Sequence, residues 1–443
     1  MKNVLVLGAG LVSRPLVHYL LDQTDVRVAI ASRTLERAAA LVEGRPNARA
    51  IPVDAADSDA LEALISGCDL VISLLPYAHH PQVARICIAQ GKHLITTSYV
   101  GPAMRELDQA ARQAGVLLLN EVGLDPGVDH MSAMRVIQRV HAAGGKIVCF
   151  SSYCGGLPAP EANTNPFGYK FSWSPRGVLL AGKNPARFLR EGEIVEIPGE
   201  ELFDHYWNVQ IEGLGEFEGY PNRDSLPYLE IYGIPEAAGL FRGTLRNAGW
   251  CSTLKTIRRL GLLSEDALPA PAKLTWTECI RRLIGAGEGA SIRSQVAEAL
   301  NLDAGAPELG RLEWLGLFED EPLPAGAASP LDALAAQMVQ RMGYSPGERD
   351  MIVLKHQFLA RYPERSEQIT ATLIEYGIPH GDSAMARTVG LPAAIAARLI
   401  LEGQVQLAGV HRPTTPEIYE PVLDELSRLG IIFRESAVSF ASD

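Results

Sequence analysis

Two short stretches of the sequence carry side chains that could move protons. Tyr99 lies in "TTSYV" and Asp125 in "EVGLDPGVDH", and each stretch follows an apolar run typical of a buried strand. The carboxyl ends of parallel strands meet at one edge of a sheet, where ligands bind in such folds. Gly123 and Gly127 permit close backbone approach and Pro126 fixes the turn. Both acidic groups are therefore expected beside a bound ligand.

Asp125 has a structural alternative. An Asp directly before a proline is a good helix start, so the same carboxylate is expected to be the N-cap of a helix over 128–142. The two roles are compatible. His130, on that helix, is expected to be a structural residue.

Cys154 is the third candidate for proton handling. It is expected at the end of a strand, before Gly155 and Gly156, which is a poor place for a packed core thiol. A buried, inert cysteine is the alternative, because free cysteines usually are buried. Tyr99 has an alternative too, since tyrosines commonly form the walls of pockets.

A glycine loop indicates the ligand. "VLVLGAGLVSRPLVHYL" places Gly8 and Gly10 between the first strand and a helix expected from about Leu11. The first glycine allows a tight turn and the second lets the backbone approach a pyrophosphate at the helix N-terminus. Ser13 occupies the third glycine position. A glycine turn without a ligand is the weaker alternative, because six strand–helix repeats follow. The predicted cofactor contacts of this loop are Gly8, Gly10, Leu11 and Val12.

The end of the second strand indicates which dinucleotide binds. NAD-binding chains carry an acid there, whereas this chain has "ASRT". The hydroxyls of Ser32 and Thr34 and the guanidinium of Arg33 suit a 2′-phosphate, so NADP(H) is predicted. A solvated surface arginine is the alternative. Further cofactor contacts are predicted at the ends of the third and fourth strands: Asp54, Leu74, Leu75 and Pro76.

These residues need a sheet that brings strand ends together. Short apolar runs alternate with helical patterns through the first quarter of the chain, which predicts an α/β fold with a Rossmann-like parallel sheet over residues 1–124. Longer strands then predict a second, α+β domain with a mixed sheet over 125–250 and 346–443. Residues 251–345 are rich in Leu, Ala and Gly and predict a helical insertion, and helices near 383–402 are expected to complete the first domain.

Composition excludes several classes of function. The net charge of −12 and the absence of a basic run argue against a nucleic-acid partner. Six scattered cysteines without metal-ligand spacing indicate reduced thiols in a cytoplasm. With no signal peptide and no uninterrupted apolar stretch of spanning length, no membrane association is expected. Adjacent His79 and His80 point apart on a short turn, so no metal is expected.

Long blocks of the sequence resemble the NADP-dependent, glutamate-forming saccharopine dehydrogenases, also called saccharopine reductases. The resemblance implies three domains, a homodimer and a role in lysine metabolism. It also implies that the chain interconverts saccharopine with L-glutamate and 2-aminoadipate 6-semialdehyde through an imine. The matching blocks are "GAGLVSRPL", "ASRT", "TTSYV", "GLDPGVDHM", "SSYCGGLPAPEANTNPFGYKFSWSPRGVL", "GYPNRDS", "FRGTLRNAGW", "DSAMARTVGLPAA" and "GVHRPTTPEIYEPVLDELSRLGI".

Saccharopine carries three carboxylates, so its site needs cations and amide or hydroxyl donors. Arg223 and Arg246 are expected to bind substrate carboxylates in a bidentate manner, although either arginine could form a structural ion pair instead. Phe171 and Trp173 are expected either to wall the site or to belong to the core. The remaining predicted substrate contacts are Ser98, Gly155, Asn222, Thr244 and Asn247. Asn247 replaces an aromatic residue that often follows this arginine in the family.

Two other functions stay open at this point. A carboxynorspermidine dehydrogenase-type enzyme also reduces an imine, but its amine-rich substrate would favour acids where this chain has the two arginines. A non-catalytic NADP(H)-binding regulator would be expected to have lost the residues of the second domain.

Overall fold

The computed structural model describes residues 1–42, 44–268 and 274–441, and it divides into two compact units. One unit comprises Met1–Ile147 and Ala360–Asp443, and the other comprises Val148–Leu359. The three-domain division drawn from the sequence stays a prediction. Residues 269–273, within the predicted helical insertion, lie outside the described residues.

The strands in the described residues are β1 Lys2–Leu7, β2 Val26–Ser32, β3 Ala48–Pro52, β4 Leu70–Ser73, β5 His93–Thr96, β6 Leu117–Leu119, β7 Lys146–Pro158, β8 Ala186–Arg190, β9 Glu193–Ile197, β10 Trp207–Ile211, β11 Gly215–Pro221, β12 Gly239–Arg246, β13 Asp350–Arg361, β14 Arg365–Tyr376, β15 Gly409–His411 and β16 Arg434–Ala441.

The α-helices in the same ranges are α1 Ser13–Leu21, α2 Leu35–Val42, α3 Ser58–Ser66, α4 His80–Ala89, α5 Pro102–Arg105, α6 Asp108–Gln113, α7 Val128–Ala142, α8 Pro175–Ala181, α9 Tyr228–Ile231, α10 Trp250–Arg259, α11 Trp276–Ile284, α12 Ile292–Leu300, α13 Pro307–Trp314, α14 Pro330–Arg341, α15 Ala384–Leu401 and α16 Pro416–Arg428. Most residues of the sequence-predicted insertion that the structure describes are helical, in α10 to α14.

The first unit is built on a seven-stranded parallel sheet in the order β15-β6-β5-β4-β1-β2-β3. The prediction of a Rossmann-like parallel sheet is confirmed. β4 and β6 are buried along their whole lengths, as expected when helices cover both faces of a parallel sheet. The chain order reverses between β1 and β4, and this reversal opens the crevice in which such sheets bind ligands.

Helix α15 packs against α1 and α16 within the first unit. It is the one helix in the described residues that is long and apolar enough to span a membrane, and 78% of it is buried. Arg387 and Arg398 interrupt its apolar sequence, so the expectation of no uninterrupted apolar stretch is not contradicted and the absence of a membrane partner stays a prediction. A buried core helix passes the same test of length and composition. The first unit also contains an antiparallel pair formed by β14 and the fully exposed β16.

The second unit carries a mixed sheet in the order β10-β11-β12-β7-β13, with β8 and β9 attached at β12. β12 runs parallel to β7 and antiparallel to β11, which makes the sheet mixed as predicted. Aromatic rings fill its core: Phe150 stacks on Phe358 at 4.7 Å and meets Tyr232 edge-on at 5.7 Å. Cys154 lies on β7 and Arg246 lies on β12, and these two strands are adjacent in the sheet.

Candidate active site

The glycine loop after β1 has the conformation that a dinucleotide phosphate needs. Gly8 has a φ of +109°, and a Cβ there would lie 3.1 Å from the carbonyl oxygen of Leu74. The space around a Cβ at Gly10 is open, which leaves room for a pyrophosphate against the backbone. Helix α1 begins at Ser13 rather than at about Leu11, so Leu11 and Val12 belong to the loop, and Leu11 is exposed.

Ser13 replaces the third glycine by a different means of fixing the loop. Its buried hydroxyl accepts a hydrogen bond from the Gly10 N–H at 3.0 Å and donates to the Gly8 carbonyl at 3.3 Å. The close helix approach is made by Gly390 of α15, where a Cβ would lie 2.8 Å from the Val12 carbonyl oxygen. The Ser13 hydroxyl thus fixes the loop by hydrogen bonds to its backbone, and α15 packs closely against the loop at Gly390.

The end of β2 opens into a surface cleft that contains Arg33, the residue predicted to bind the 2′-phosphate. Arg33 is exposed and lines this cleft with Pro52, Asp54 and Asp57. The Asp54 carboxylate accepts the Ala56 N–H at 2.9 Å, so it shapes the turn after β3. No acid occupies residues 32–34, and the exposed guanidinium favours a doubly charged phosphate.

Other predicted cofactor residues lie around the same loop. The Thr34 N–H donates to the Ser32 hydroxyl at 3.2 Å and orders the turn after β2. At the end of β4, the Leu74 N–H donates to the Leu7 carbonyl at 2.8 Å, which extends the sheet to the glycine loop. Leu75 is half-buried and Pro76 is exposed. The residues of the first unit therefore fit NADP(H).

Tyr99 and Asp125 form a hydrogen-bonded pair at the carboxyl edge of the same sheet. The Tyr99 hydroxyl donates to Asp125 Oδ1 at 2.7 Å, and both side chains are half-buried. Tyr99 follows β5 and Asp125 follows β6, as their positions in the sequence predicted. A carboxylate that accepts from a phenol provides a two-residue path for a proton.

The turn that carries Asp125 is unusually tight. The Asp125–Pro126 peptide is cis, and the Gly123 N–H donates to the Pro126 carbonyl at 2.9 Å. Gly127 has a φ of +151°, and a Cβ there would lie 2.1 Å from the Gly123 carbonyl oxygen, so only glycine fits. Asp125 is not the N-cap of α7, and that expectation was wrong. The cap is Gly127, whose N–H donates to Asp129 at 2.6 Å.

A buried charge network supports these loops and was missed in the sequence. Glu121, only 1% exposed and with a φ of +60°, accepts the Val100 N–H at 2.9 Å. It also accepts from Arg412 Nε at 2.8 Å and pairs with His130 Nε2 at 2.8 Å. Burial alone would raise the pKa of Glu121, but the His130 hydrogen bond and charge, with Arg412, lower the pKa to about 2. Glu121 thus joins the loops after β5, β6 and β15 to α7.

A second feature that was missed in the sequence is a chain of hydrogen-bonded side chains that passes through His80. His80 Nδ1 lies 3.0 Å from the Ser73 hydroxyl at the end of β4, and His80 Nε2 lies 2.9 Å from the Ser98 hydroxyl after β5. Burial lowers the pKa of His80 to about 4. Both ring nitrogens are therefore engaged with serines.

The two arginines of the second unit differ in environment. Arg246 is buried, and its guanidinium lies 4.9 Å from the Tyr169 ring centre and 5.4 Å from that of Trp250. Its Nη1 donates to the Leu245 carbonyl at 2.8 Å, whereas its Nε has no hydrogen-bond partner among residues 1–42, 44–268 and 274–441. Such a buried cation suits a carboxylate ligand. Arg223 is exposed, on the loop after β11, with a φ of +58°.

Cys154 lies inside a strand and not at its end. β7 continues through Gly155 and Gly156 to Pro158, and Cys154 is aligned with Thr244 of the parallel strand β12. The expectation of a strand end was wrong because a Gly-Gly pair usually stops a strand. Here a Cβ at Gly155 would lie 2.8 Å from that of Leu245, so glycine lets the strands pack closely.

Other predicted substrate residues contact the segment around Tyr169 or belong to the loop after β11. The Asn247 amide donates to the Gly168 carbonyl at 2.6 Å and so holds the segment that carries Tyr169. Phe171 meets Tyr169 edge-on at 5.1 Å, and Phe171 and Trp173 are both half-buried. The Asn222 N–H donates to the Arg242 carbonyl at 2.9 Å. Their roles toward a substrate stay predictions.

Comparisons with known proteins agree with these observations. Residues 4–119 match the saccharopine dehydrogenase NADP binding domain, and residues 123–431 match the saccharopine dehydrogenase C-terminal domain. The chain is 42% identical, over 99% of both chains, to saccharopine dehydrogenase [NADP(+), L-glutamate-forming] of Schizosaccharomyces pombe. It is 41% identical to the Saccharomyces cerevisiae protein of the same name, over 99% of this chain and 100% of the yeast one.

A solved structure shows the same fold. The apo, histidine-tagged saccharopine dehydrogenase (L-Glu forming) of Saccharomyces cerevisiae superposes with a TM-score of 0.89 at 39% identity, covering 99% of this chain and 100% of that one. The mitochondrial alpha-aminoadipic semialdehyde synthase of Bos taurus is 41% identical over 98% of this chain, which spans 47% of the bovine protein.

Proposed function

The chain belongs to the saccharopine dehydrogenase family, and from that premise we propose that it catalyses the NADP-dependent interconversion of saccharopine with L-glutamate and 2-aminoadipate 6-semialdehyde. One observation carries the proposal: near full-length identity of about 40% to relatives named for this reaction. The Tyr99–Asp125 pair at the nucleotide edge of the sheet supplies the chemistry that the reaction requires.

In the oxidative direction, the carbon of the lysine-derived arm beside the secondary amine loses a hydride and becomes an imine. Water adds to the imine, and the resulting carbinolamine breaks its C–N bond to release glutamate and the aldehyde. Bound NADP⁺ supplies the hydride acceptor, so the protein has to position substrate and water and move protons.

The Tyr99–Asp125 pair is assigned to these proton transfers. Asp125 accepts a proton from the amine or from water, and Tyr99 relays a proton to the carbinolamine nitrogen as glutamate departs. The 2.7 Å hydrogen bond gives the proton a direct path between the two groups. Arg246 is assigned to a substrate carboxylate, because its guanidinium is buried and its Nε has no hydrogen-bond partner in the part of the chain that the structure describes.

The test is turnover of NADPH in the presence of glutamate and the semialdehyde, followed by the loss of NADPH absorbance. We expect glutamate-dependent consumption of NADPH and formation of saccharopine. Consumption only when a diamine replaces glutamate would indicate the carboxynorspermidine type of enzyme. Tight NADPH binding without turnover on any amine would indicate a regulator.

We also propose that the protein is a homodimer in a reducing cytoplasm, with neither nucleic acid nor membrane as partner. The family resemblance and the exposed strand β16, with Val438 and Phe440 at 66% and 47% exposure, support a self-associating surface. The six free cysteines and the charge of −12 support the compartment and the lack of nucleic acid. Sedimentation equilibrium tests the dimer, and a monomeric mass at micromolar concentration would contradict it.

A further inference from the structure

The His80 chain links two strand ends of the nucleotide-binding sheet. Ser73 ends β4, His80 begins α4, and Ser98 lies in the loop after β5 beside Tyr99. Ser73 and His80 are buried, with exposures of 0% and 3%, whereas Ser98 is half-buried. The chain therefore runs from the interior of the first unit to a hydroxyl at the active edge.

The burial of Ser73 determines where the imidazole proton lies. In the described part of the chain, the one hydrogen-bond partner of the Ser73 hydroxyl is His80 Nδ1. A buried hydroxyl proton without an acceptor is costly, so Ser73 donates and Nδ1 accepts. Burial keeps the imidazole neutral, since it lowers the pKa of His80 to about 4. The single ring proton must then be on Nε2, which donates to the Ser98 hydroxyl oxygen.

The backbone N–H and the carbonyl of Ser98 are both hydrogen-bonded within the protein. Its hydroxyl proton is therefore the group that can bind a ligand. The Ser98 N–H donates to Thr96 Oγ1 at 3.0 Å, and the Ser98 carbonyl accepts the Glu121 N–H at 3.1 Å. With its oxygen already accepting from His80, the Ser98 hydroxyl has a proton to donate.

We propose that His80 is a positioning residue that, as the Nε2–H tautomer, holds Ser98 as a hydrogen-bond donor to an acceptor oxygen of the bound reactants. The acceptor is a substrate carboxylate or the carboxamide oxygen of the cofactor, and both present the same chemistry to a hydroxyl. The role of Ser98 toward these reactants rests on the proposed function, whereas the tautomer of His80 does not.

The tautomer is tested without turnover. Selective ¹⁵N labelling of histidine, with the His80 signal identified by its loss in His80→Gln, reports which ring nitrogen carries the proton. We expect Nε2–H and an unprotonated Nδ1 at pH 7, and Ser73→Ala should weaken this preference. A dominant Nδ1–H form in the unmodified protein would overturn the proposal.

The kinetic test uses two amide substitutions with opposite geometry. The amide of His80→Gln reaches the position of Nε2 and can still donate to Ser98, whereas that of His80→Asn reaches only the position of Nδ1. We expect His80→Gln to keep KM within about two-fold and His80→Asn to raise KM about ten-fold. A rise for glutamate and the semialdehyde assigns the acceptor to the substrate, and a rise for NADPH assigns it to the cofactor.

Ser98→Ala provides the matched background for this comparison. If His80 acts through Ser98, His80→Asn should add little to the KM of Ser98→Ala, whereas independent roles would multiply the two effects. Thermal midpoints of all variants separate loss of fold from loss of the donor. Equal KM losses in the Gln and Asn variants, or multiplying effects with Ser98→Ala, would overturn the proposal.

Discussion

Arg33 shows how far a single residue could be interpreted from the sequence. Its type and its place after the second predicted strand were enough to predict NADP(H), because in dinucleotide-binding folds the end of that strand lies beside the ribose. Tyr99 and Asp125 were likewise expected at one sheet edge because both follow strands. Glu121, His130 and Arg412 were not predicted as a network, since Arg412 lies 291 residues from Glu121 and only the folded chain brings them together.

Replacement of Arg33 should change the cofactor preference. Arg33→Ala removes a charge-assisted contact to the 2′-phosphate and should raise the KM for NADPH about ten- to a hundred-fold. The KM for NADH should change by less than about two-fold, since NADH lacks that phosphate. Arg27→Ala is the matched control, because Arg27 is an exposed arginine at the opposite end of β2. An equal loss for both cofactors would contradict the assignment.

Removal of the Asp125 carboxylate should slow chemistry more than binding. Asp125→Asn keeps the size of the side chain but loses the proton acceptor, and kcat should fall by about a hundred-fold or more. Tyr99→Phe should lower kcat by a smaller factor, and Tyr206→Phe, at an exposed tyrosine of the second unit, should have no effect. Fluorescence titration should find NADPH binding unchanged in Asp125→Asn. An unchanged kcat would remove Asp125 from the mechanism.

At the level of elements, periodicity predicted strands that have a clear apolar run and failed for those that do not. The six strands β1 to β6 follow the predicted runs, whereas β15 is only three residues long and has no such run. The predicted end of β7 was wrong because the glycines after Cys154 do not stop the strand, and Gly155 instead lets β7 pack closely against β12. Local signals of this kind depend on what the neighbouring strand requires, which a single sequence does not contain.

The contact between α15 and the glycine loop provides a prediction at this scale. Gly390→Ala should destabilise the protein and weaken NADPH binding, because the new Cβ would lie 2.8 Å from the Val12 carbonyl. Gly310→Ala is the matched control: Gly310 lies in α13 with nothing within 4 Å of a Cβ, so alanine should stabilise that helix by about 1 kcal/mol. Thermal melts and NADPH titrations measure both. A stabilised Gly390→Ala variant would show that the helix contact is not needed.

At the scale of the whole molecule, the charged groups fall into two classes, those on the surface and those that are buried. The net charge of −12 is carried mostly by acids outside the buried core, and it says little about the fold. The buried ionisable groups of the first unit matter more for stability, because folding changes their protonation. His80 and Glu121 both have lowered pKa values, and neither shift could be predicted from the sequence, since burial and partners arise only in the fold.

These two groups predict that the protein loses stability in acid in two stages. Below about pH 6.5 an unfolded His80 binds a proton that the folded form excludes down to about pH 4, through burial first and the neighbouring His79 charge second. Stability should fall across that window by about 3 kcal/mol from this group. Glu121 extends the loss from about pH 4.5 to about pH 2, as protonation removes its attraction to His130 and Arg412. Urea unfolding from pH 7 to pH 4 measures the first stage. In His80→Gln, the slope of the unfolding free energy against pH should decrease by the equivalent of one bound proton. An unfolding free energy that is constant between pH 6.5 and pH 4.5 in the unmodified protein would mean that His80 is not held neutral, and the hydrogen-bond chain through Ser98 would lose its physical basis.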